Sequence, residues 1–260
     1  MLRMLGPRLR KHVAGHVVCM IAVISDVHGN LAALDAVLEA IAAAGVTRIW
    51  CLGDTVGYGP QPAACLARVV GRCEIVLAGN HDLAVRGDVN PRTFTGVAGE
   101  GVRHSIKQLD AEARASLVGL KPFAFVDEAE LYHASANDWV WEYVRSAEVA
   151  SQHLVTQRLP VSFVGHSHLQ LAYTQLNGTK AATGGTYGAG DVVAMVPDSK
   201  MVVNPGSVGQ PRDRDPRAAW ALYQPEVGVR FERTEYDIAS TQLLIEQAGL
   251  PIQLAERLAL

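Results

Sequence analysis

The side chains best suited to chemistry in this 260-residue chain come in short polar clusters, each closing a hydrophobic run. Asp26-Val27-His28 is the first, and Gly53-Asp54-Thr55-Val56-Gly57 and Gly79-Asn80-His81-Asp82 follow. His133 stands alone after Glu130-Leu131-Tyr132, and Gly165-His166-Ser167-His168 is the last. Five of the nine histidines fall in these clusters, which offer oxygen and imidazole nitrogen but no thiolate. Such donors suit divalent ions of hard or intermediate character rather than a soft-metal site. Two ions held close together need a shared ligand that offsets their charge, and a carboxylate such as Asp54 provides one. Paired metals clamp a phosphoryl group and lower the pKa of a shared water, so these residues point to phosphoester hydrolysis.

Residues so far apart in sequence need a framework that gathers them. Ile21-Ala22-Val23-Ile24 is apolar without alternation, as in a strand buried on both faces. Asp26 and His28 lie two residues apart, on the same side of an extended stretch. Apolar residues recur at helical spacing from Leu31 to Ala43, and Gly45 ends that segment. Ile49 to Leu52 is the next run, followed by a helical stretch from Gln61 to Val70 with Pro60 and Pro62 at its start. Glu74 to Leu77 then leads into Gly79-Asn80-His81-Asp82. The pattern is β-α-β-α-β, with a polar cluster at the C-terminal end of every strand. Open α/β sheets bind ligands at that edge. The runs Ala129 to Tyr132 and Val161 to Val164 repeat the form before His133 and His166. Glycines before Asp54, Asn80 and His166 are expected in tight turns with positive φ.

The order D-x-H, G-D-x-x-G, G-N-H-D, H, G-H-x-H resembles the calcineurin-like metallophosphoesterases, above all their compact prokaryotic branch. The likeness runs from Ile21 to about Arg214. It implies an α/β fold of two sheets in a β-sandwich flanked by helices. It also implies a dinuclear centre whose bridging hydroxide attacks phosphorus. Asp26, His28 and His168 would hold one metal, Asn80, His133 and His166 the other, and Asp54 would bridge them. His81 would act at the leaving-group oxygen as general acid or transition-state stabiliser, with Asp82 orienting it. The family usually has G-H-T-H; Ser167 keeps the hydroxyl. Manganese is the first choice of ion, with iron, zinc, cobalt or nickel as alternatives. The branch includes phosphodiesterases active on small diesters, protein phosphatases and dinucleoside polyphosphate hydrolases. A compact chain without a peptide-docking segment inclines the reading towards a phosphodiesterase on small or nucleotide-like substrates. Phosphomonoesterase, protein phosphatase and dinucleoside polyphosphate hydrolase stay as alternatives. A non-catalytic scaffold would have shed ligands or His81, and none is missing.

Other segments are less specific. Gly57-Tyr58-Gly59-Pro60 suits either a plain loop or a cleft wall beside Asp54. The turn-rich stretch from Asn204 to Arg212 leads to Arg212 and Arg214, whose guanidinium groups could take a phosphate bidentately. An Asp-Arg-Asp loop equally suits a solvated ion-pair network. Trp139, Trp141 and Tyr143 could stack on a base or close over the site, though packing is the preferred reading. Residues 86–158 read as a helical, cap-like segment, with helices expected at Val97 to Leu109, Ala111 to Leu117 and Ser146 to Arg158. Gly178 to Gly190 is expected to be a mobile loop between strands. Ala218 to Tyr223 and Val227 to Tyr236 read as a hairpin, and Ser240 to Leu260 as a helix broken at Gly249-Leu250-Pro251.

Composition sets the outer bounds. Hydrophobic content of 49% and charged content of 19% are those of a globular chain. One domain over residues 20–260 fits this length. A net charge of −3, with no basic run after residue 20, argues against non-specific nucleic-acid binding and disfavours a nuclease, the third reading. A small phosphorylated substrate or a phosphoprotein is the expected partner, with no membrane and no oligomeric state specified. The four cysteines form no C-x-x-C pair and read as reduced, core residues of a cytoplasmic protein. Residues 1–19 are basic and run into an apolar stretch, a superficial likeness to a signal peptide. Cleavage there would remove the first strand, and the stretch is too short to span a membrane. The expectation is a flexible extension or a mis-assigned start, with the folded domain starting at Met20.

Overall fold

The structure, a computed structural model, describes residues 20–126 and 128–260; the expected extension at residues 1–19, with Cys19, lies outside them. Ile21–Ile24 (β1) lacks alternation because both its faces are covered. Ile21 and Val23 join one hydrophobic cluster, Ala22 and Ile24 another. Leu31–Ala43 (α1) follows, capped by Asn30, whose side chain accepts from Ala33 N. Arg48–Cys51 (β2), Pro62–Arg72 (α2) and Ile75–Val76 (β3) complete the β-α-β-α-β unit in parallel register.

Asn80–Arg86 (α3) begins inside the G-N-H-D motif, and Gly96–Gln108 (α4) and Ala111–Leu117 (α5) follow it. These three helices share a cluster with Leu66 of α2, built on Val85, Val102 and Leu117. The stretch expected to be a helical cap also contributes strands, Phe123–Phe125 (β4) and Glu130–Tyr132 (β5), before Ala147–Thr156 (α6). Runs of three residues are too short for periodicity to separate strand from loop.

The second half is mostly strand. Val161–Phe163 (β6), Gln170–Leu176 (β7), Thr183–Thr186 (β8), Val192–Ala194 (β9) and Ser199–Pro205 (β10) precede the expected hairpin, Ala218–Gln224 (β11) with Gly228–Thr234 (β12). Ile238–Gln247 (α7) and Ile252–Glu256 (α8) end the chain, broken where Gly249 and Pro251 predict. The expected loop from Gly178 to Gly190 therefore contains a strand. β8 pairs antiparallel with β7 at the sheet edge, and its Thr-Gly-Gly-Thr sequence carries no hydrophobic signal because the edge faces solvent.

The strands form two six-stranded sheets, ordered β3-β2-β1-β11-β12-β9 and β4-β5-β6-β10-β7-β8. Trp50, Phe163, Tyr223 and Phe231 pack between them. α1 and α2 cover the outer face of the first sheet, and α6 covers the second. This is the two-sheet sandwich that the motif order implies. No helix among the described residues is long and apolar enough to cross a membrane.

Candidate metal centre

The C-terminal ends of β1, β2, β5 and β6 meet at one edge of the sandwich. They deliver Asp26 and His28, Asp54, His133, and His166 and His168, while the first turn of α3 delivers Asn80 and His81. Backbone bonds lace the loops together: Asp26 N donates to Gly53 O (3.0 Å), His28 N to Asp54 O (2.9 Å) and Gly165 N to His133 O (2.8 Å). His166 N donates to Asp26 Oδ2 at 3.1 Å. The Asn204 segment braces this edge rather than forming a plain turn. Asn204 Nδ2 donates to Gly165 O and to Ser167 Oγ, and Ser207 Oγ donates to Asp26 O.

The positive φ angles fall where they were not expected. Asp26 (54°), His28 (49°), Asp54 (52°), His166 (62°) and His168 (61°) all adopt the left-handed conformation. Of the three glycines expected there, only Gly53 does, at φ 98°. Gly79 serves by lacking a side chain, since a Cβ would lie 2.0 Å from Asp54 Oδ1. Left-handed non-glycine residues are uncommon and cluster where the surrounding structure enforces them, often at functional sites.

The seven residues expected as ligands come together, and none is more than 4% exposed. His28 Nε2 lies 3.8 Å from Asp26 Oδ1 and 3.1 Å from His168 Nε2, and His168 Nε2 lies 3.4 Å from Asp26 Oδ1. His133 Nε2 lies 3.1 Å from Asn80 Oδ1. Asp54 Oδ2 is 3.6 Å from both His28 Nε2 and His133 Nε2, so it stands between the two groups. Asp26, His28 and His168 form one cluster able to hold an ion, and Asp54, His133 and His166 form another.

Hydrogen bonding decides which nitrogens point inward. His28 Nδ1 donates to Val56 O (3.1 Å), His133 Nδ1 to Leu52 O (2.9 Å) and His168 Nδ1 to Gln210 O (2.6 Å). A carbonyl only accepts, so each Nδ1 carries the proton. Burial holds His28 and His168 well below the ordinary imidazole pKa, so they are neutral and their Nε2 atoms carry lone pairs. Two lone pairs 3.1 Å apart repel unless a cation lies between them. Burial also pushes Asp26 up to about 7 and Asp54 well above the carboxylate range, which a nearby cation would reverse. Asp26 Oδ1 and His166 Nε2 are buried without a hydrogen-bond partner. Neutral imidazoles, carboxylates lacking counter-charge and orphaned acceptors fit divalent ions at this edge.

His81 sits beside these residues. Its ring packs against His28 (4.9 Å), Tyr58 (4.7 Å) and Phe94 (4.8 Å), and its backbone N donates to Asp54 Oδ1 (2.9 Å). Its Nδ1 has no partner and faces Gly57, where a Cβ would come within 2.3 Å. Burial lowers His81 to about 3. The structure puts Asp82 to a different use from the expected one. Its carboxylate accepts from Thr55 N, Val56 N and Gly79 N, tying the G-D loop to the G-N-H-D loop instead of orienting the His81 ring.

Three aromatic residues close on the site. Tyr58 stands 4.7 Å from His28, so the Gly57 to Pro60 loop is a wall of the site. Tyr143 stacks on His166 at 4.0 Å, and Trp141 packs on Phe94 at 5.8 Å. The group read as packing thus includes a residue that covers a candidate ligand; only Trp139, on Phe123 at 4.1 Å, keeps that reading alone. Arg212 approaches Tyr58 Oη (3.5 Å), while Arg214 is exposed on the loop beyond.

An α/β sandwich with a buried His/Asp/Asn cluster at its strand ends defines a metal-dependent class of protein. The calcineurin-like phosphoesterase superfamily domain matches residues 20–226, and the chain belongs to that family. It is 33% identical over 248 residues to an uncharacterised protein of Methanocaldococcus jannaschii, covering 93% of this chain and 98% of the relative. A crystal structure of a metallophosphoesterase from Sphaerobacter thermophilus is 37% identical, with a TM-score of 0.82 over 93% of this chain and 98% of that one. A hypothetical protein of Pyrococcus horikoshii shares the fold at 19% identity, with a TM-score of 0.73 over 92% of this chain and 97% of that one.

Proposed function

We propose that this chain is a two-metal phosphoester hydrolase acting on diester-like bonds of small or nucleotide-like substrates. Asp26, His28 and His168 would hold one ion, Asn80, His133 and His166 the other, and Asp54 would be shared. The observation that carries this reading is the pair of inward lone pairs on His28 and His168, with Asp54 equidistant from His28 and His133. Bound ions of this kind, manganese first, would polarise the phosphoryl group and lower the pKa of water.

The chain's own residues supply the rest. Gly57 closes the Nδ1 side of His81, which leaves Nε2 to meet the leaving-group oxygen and hold the proton it acquires. Phe94, Tyr58 and His28 fix the plane of that ring. Burial keeps the His81 ring neutral, so it would meet the leaving-group oxygen as a hydrogen-bond donor. Tyr143 and Tyr58 flank the opening and limit water entry. The free Cys51, Cys65 and Cys73 suit the reducing conditions of a cytoplasm, where we place the protein.

Elemental analysis with a substrate panel tests the proposal. Two divalent ions per chain are expected, and hydrolysis of bis(p-nitrophenyl) phosphate should exceed that of p-nitrophenyl phosphate. A chelator should abolish turnover and manganese should restore it. If metal-loaded wild type hydrolyses no diester, monoester or nucleotide, the enzyme reading is wrong.

A further inference from the structure

Trp141 touches both halves of the candidate centre. Its backbone carbonyl accepts a hydrogen bond from the His166 ring. Its indole packs on Phe94 (5.8 Å), and Phe94 packs on His81 (4.8 Å). Phe94 is itself pinned, only 8% exposed, in the cluster that holds Val85, Val102 and Leu117. A row of rings therefore leads from His81, through Phe94, to Trp141 at the surface.

Ordinary packing does not account for the indole. Trp141 is 44% exposed and belongs to none of the hydrophobic clusters among the described residues. The loop between β5 and α6 that carries it is anchored by other side chains, Ala136 and Val144, both buried with Leu154 of α6. Polar groups fix its turn. Ser135 N donates to Asp138 O (2.9 Å), and Val140 N and Trp141 N each donate to Asp138 Oδ1 (3.0 Å). A large ring held on a hydrogen-bonded loop, and left half in water, keeps apolar area for a ligand. Because the loop is already ordered, stacking a ligand there costs little conformational entropy.

We propose that Trp141 is a specificity-determining residue. Its indole is the platform on which the leaving group stacks, so the centre favours phosphoesters whose departing oxygen carries a planar aromatic ring. The inference rests on the hydrolase reading above, with His81 meeting the leaving-group oxygen. A group bonded to that oxygen lies beside His81, where Phe94 closes the adjoining space, and the next ring in the row is Trp141. The neighbouring aromatic residues are already engaged. Tyr143 has His166 and Arg145 on its ring, each at 4.0 Å, and Tyr58 has His28 and His81, each at 4.7 Å. Trp139 packs on Phe123 (4.1 Å), outside this row. An aliphatic leaving group would gain no stacking on the indole.

Binding and turnover, measured apart, test this. Phenylphosphonate and methylphosphonate are titrated calorimetrically into manganese-loaded wild type, Trp141→Ala, Trp141→Phe and Trp139→Ala. The backbone carbonyl that holds His166 survives each substitution, and elemental analysis confirms that metal content is that of wild type. Wild type should bind phenylphosphonate about tenfold more tightly than methylphosphonate, and Trp141→Ala should lose that preference. Trp141→Phe should keep part of it through its smaller ring, and Trp139→Ala should keep all of it. Equal affinity of wild type for the two phosphonates, no binding of either, or the same loss in Trp139→Ala overturns the proposal. In turnover, kcat/KM for methyl p-nitrophenyl phosphate should fall about tenfold in Trp141→Ala. A kcat/KM equal to that of wild type would place the stacked ring on the group that stays, and would also overturn it. Turnover by wild type without a phenyl preference means that only the Trp141 inference fails. A Trp141-dependent preference without turnover means that the hydrolase reading fails, while the aromatic platform stands as a binding site.

Discussion

His153 and His168 are both fully or almost fully buried histidines, yet the chain treats them in opposite ways. At His153, Ala136 N donates to Nδ1 (3.0 Å), so Nε2 carries the proton and gives it to Ser162 Oγ (2.7 Å), which donates on to Gln157 Oε1 (2.6 Å). Every polar atom of that ring has a partner. At His168 a carbonyl takes the Nδ1 proton, and the Nε2 lone pair is left facing other acceptors. Both rings are held neutral by burial, His153 at about 4. The tautomer separates a structural histidine from one prepared for a cation: a backbone N–H on Nδ1 completes a network, and a backbone carbonyl on Nδ1 opens a ligand.

The largest break in that contrast is at Asp54. Asp54→Ala removes the carboxylate shared by both groups, and leaves His28 and His133 without their common anionic neighbour. Loss of both bound metals and of all turnover is expected, read by elemental analysis and by diester hydrolysis. A variant that keeps two ions per chain would show that the inward lone pairs suffice. His81→Ala comes next. Metal content should hold at the wild-type value while kcat falls by about 10²–10⁴-fold, the usual contribution of a positioned proton donor. Loss of metal along with activity would place His81 among the ligands; its grouping with His28 and Asp54 makes that outcome a sharp one to look for.

Much of this contrast was legible in the sequence, and the remainder was hidden for physical reasons. The ligand clusters stood out because a polar group ending a buried strand has no reason to be there unless it meets a partner. The helices α1 and α5 match their periodicity at both ends, as amphipathic segments with clear stops do. The left-handed conformations of Asp26, His28, Asp54, His166 and His168 could not be read, because the mild preference of Asp and His for that region does not single out positions. Tertiary bonds such as His166 N to Asp26 Oδ2 impose them. Asp82 looked like a partner of His81 because it is its neighbour in sequence, but α3 turns the two side chains to different tasks. Arg145 and Arg257 carry no motif at all. They lie just beyond Tyr143 and at the turn after α8, and only the fold reveals that they line one cavity of about 940 Å³ with Arg212.

The structural histidine yields the third prediction. His153 has its folded pKa lowered from 6.5 to about 4, so below pH 6.5 the unfolded chain takes up a proton that the folded chain refuses. Stability from this group is complete above about pH 6.5, falls as pH drops towards 4, and then levels. The total is about 3 kcal/mol. Urea denaturation of chelator-treated wild type and His153→Gln at pH 7.5 and 4.5 checks it. The variant is expected to be less stable at neutral pH but to lose less on acidification. Equal losses in both proteins would mean that burial does not hold the His153 pKa down in the folded chain.

The smallest effect is expected at Tyr143, where the contrast can be sharpened without touching a ligand. Its ring stacks on His166 at 4.0 Å and 13°, and the Arg145 guanidinium lies over the same ring at 4.0 Å. His166 Nε2 lacks a partner, and a hydrogen bond to the Trp141 backbone together with the Tyr143 stack holds the ring. Stacked aromatic pairs contribute about 0.5–1.5 kcal/mol beyond their buried area. Tyr143→Ala should therefore weaken binding at the Asn80, His133 and His166 group by up to about tenfold, and leave the Asp26, His28 and His168 group as in wild type. A metal titration followed by elemental analysis at limiting manganese would resolve this as one ion retained and one partly lost. Equal weakening of both ions would instead show that the two groups rise and fall together through Asp54, and that the shared carboxylate outweighs any difference in how the rings are held.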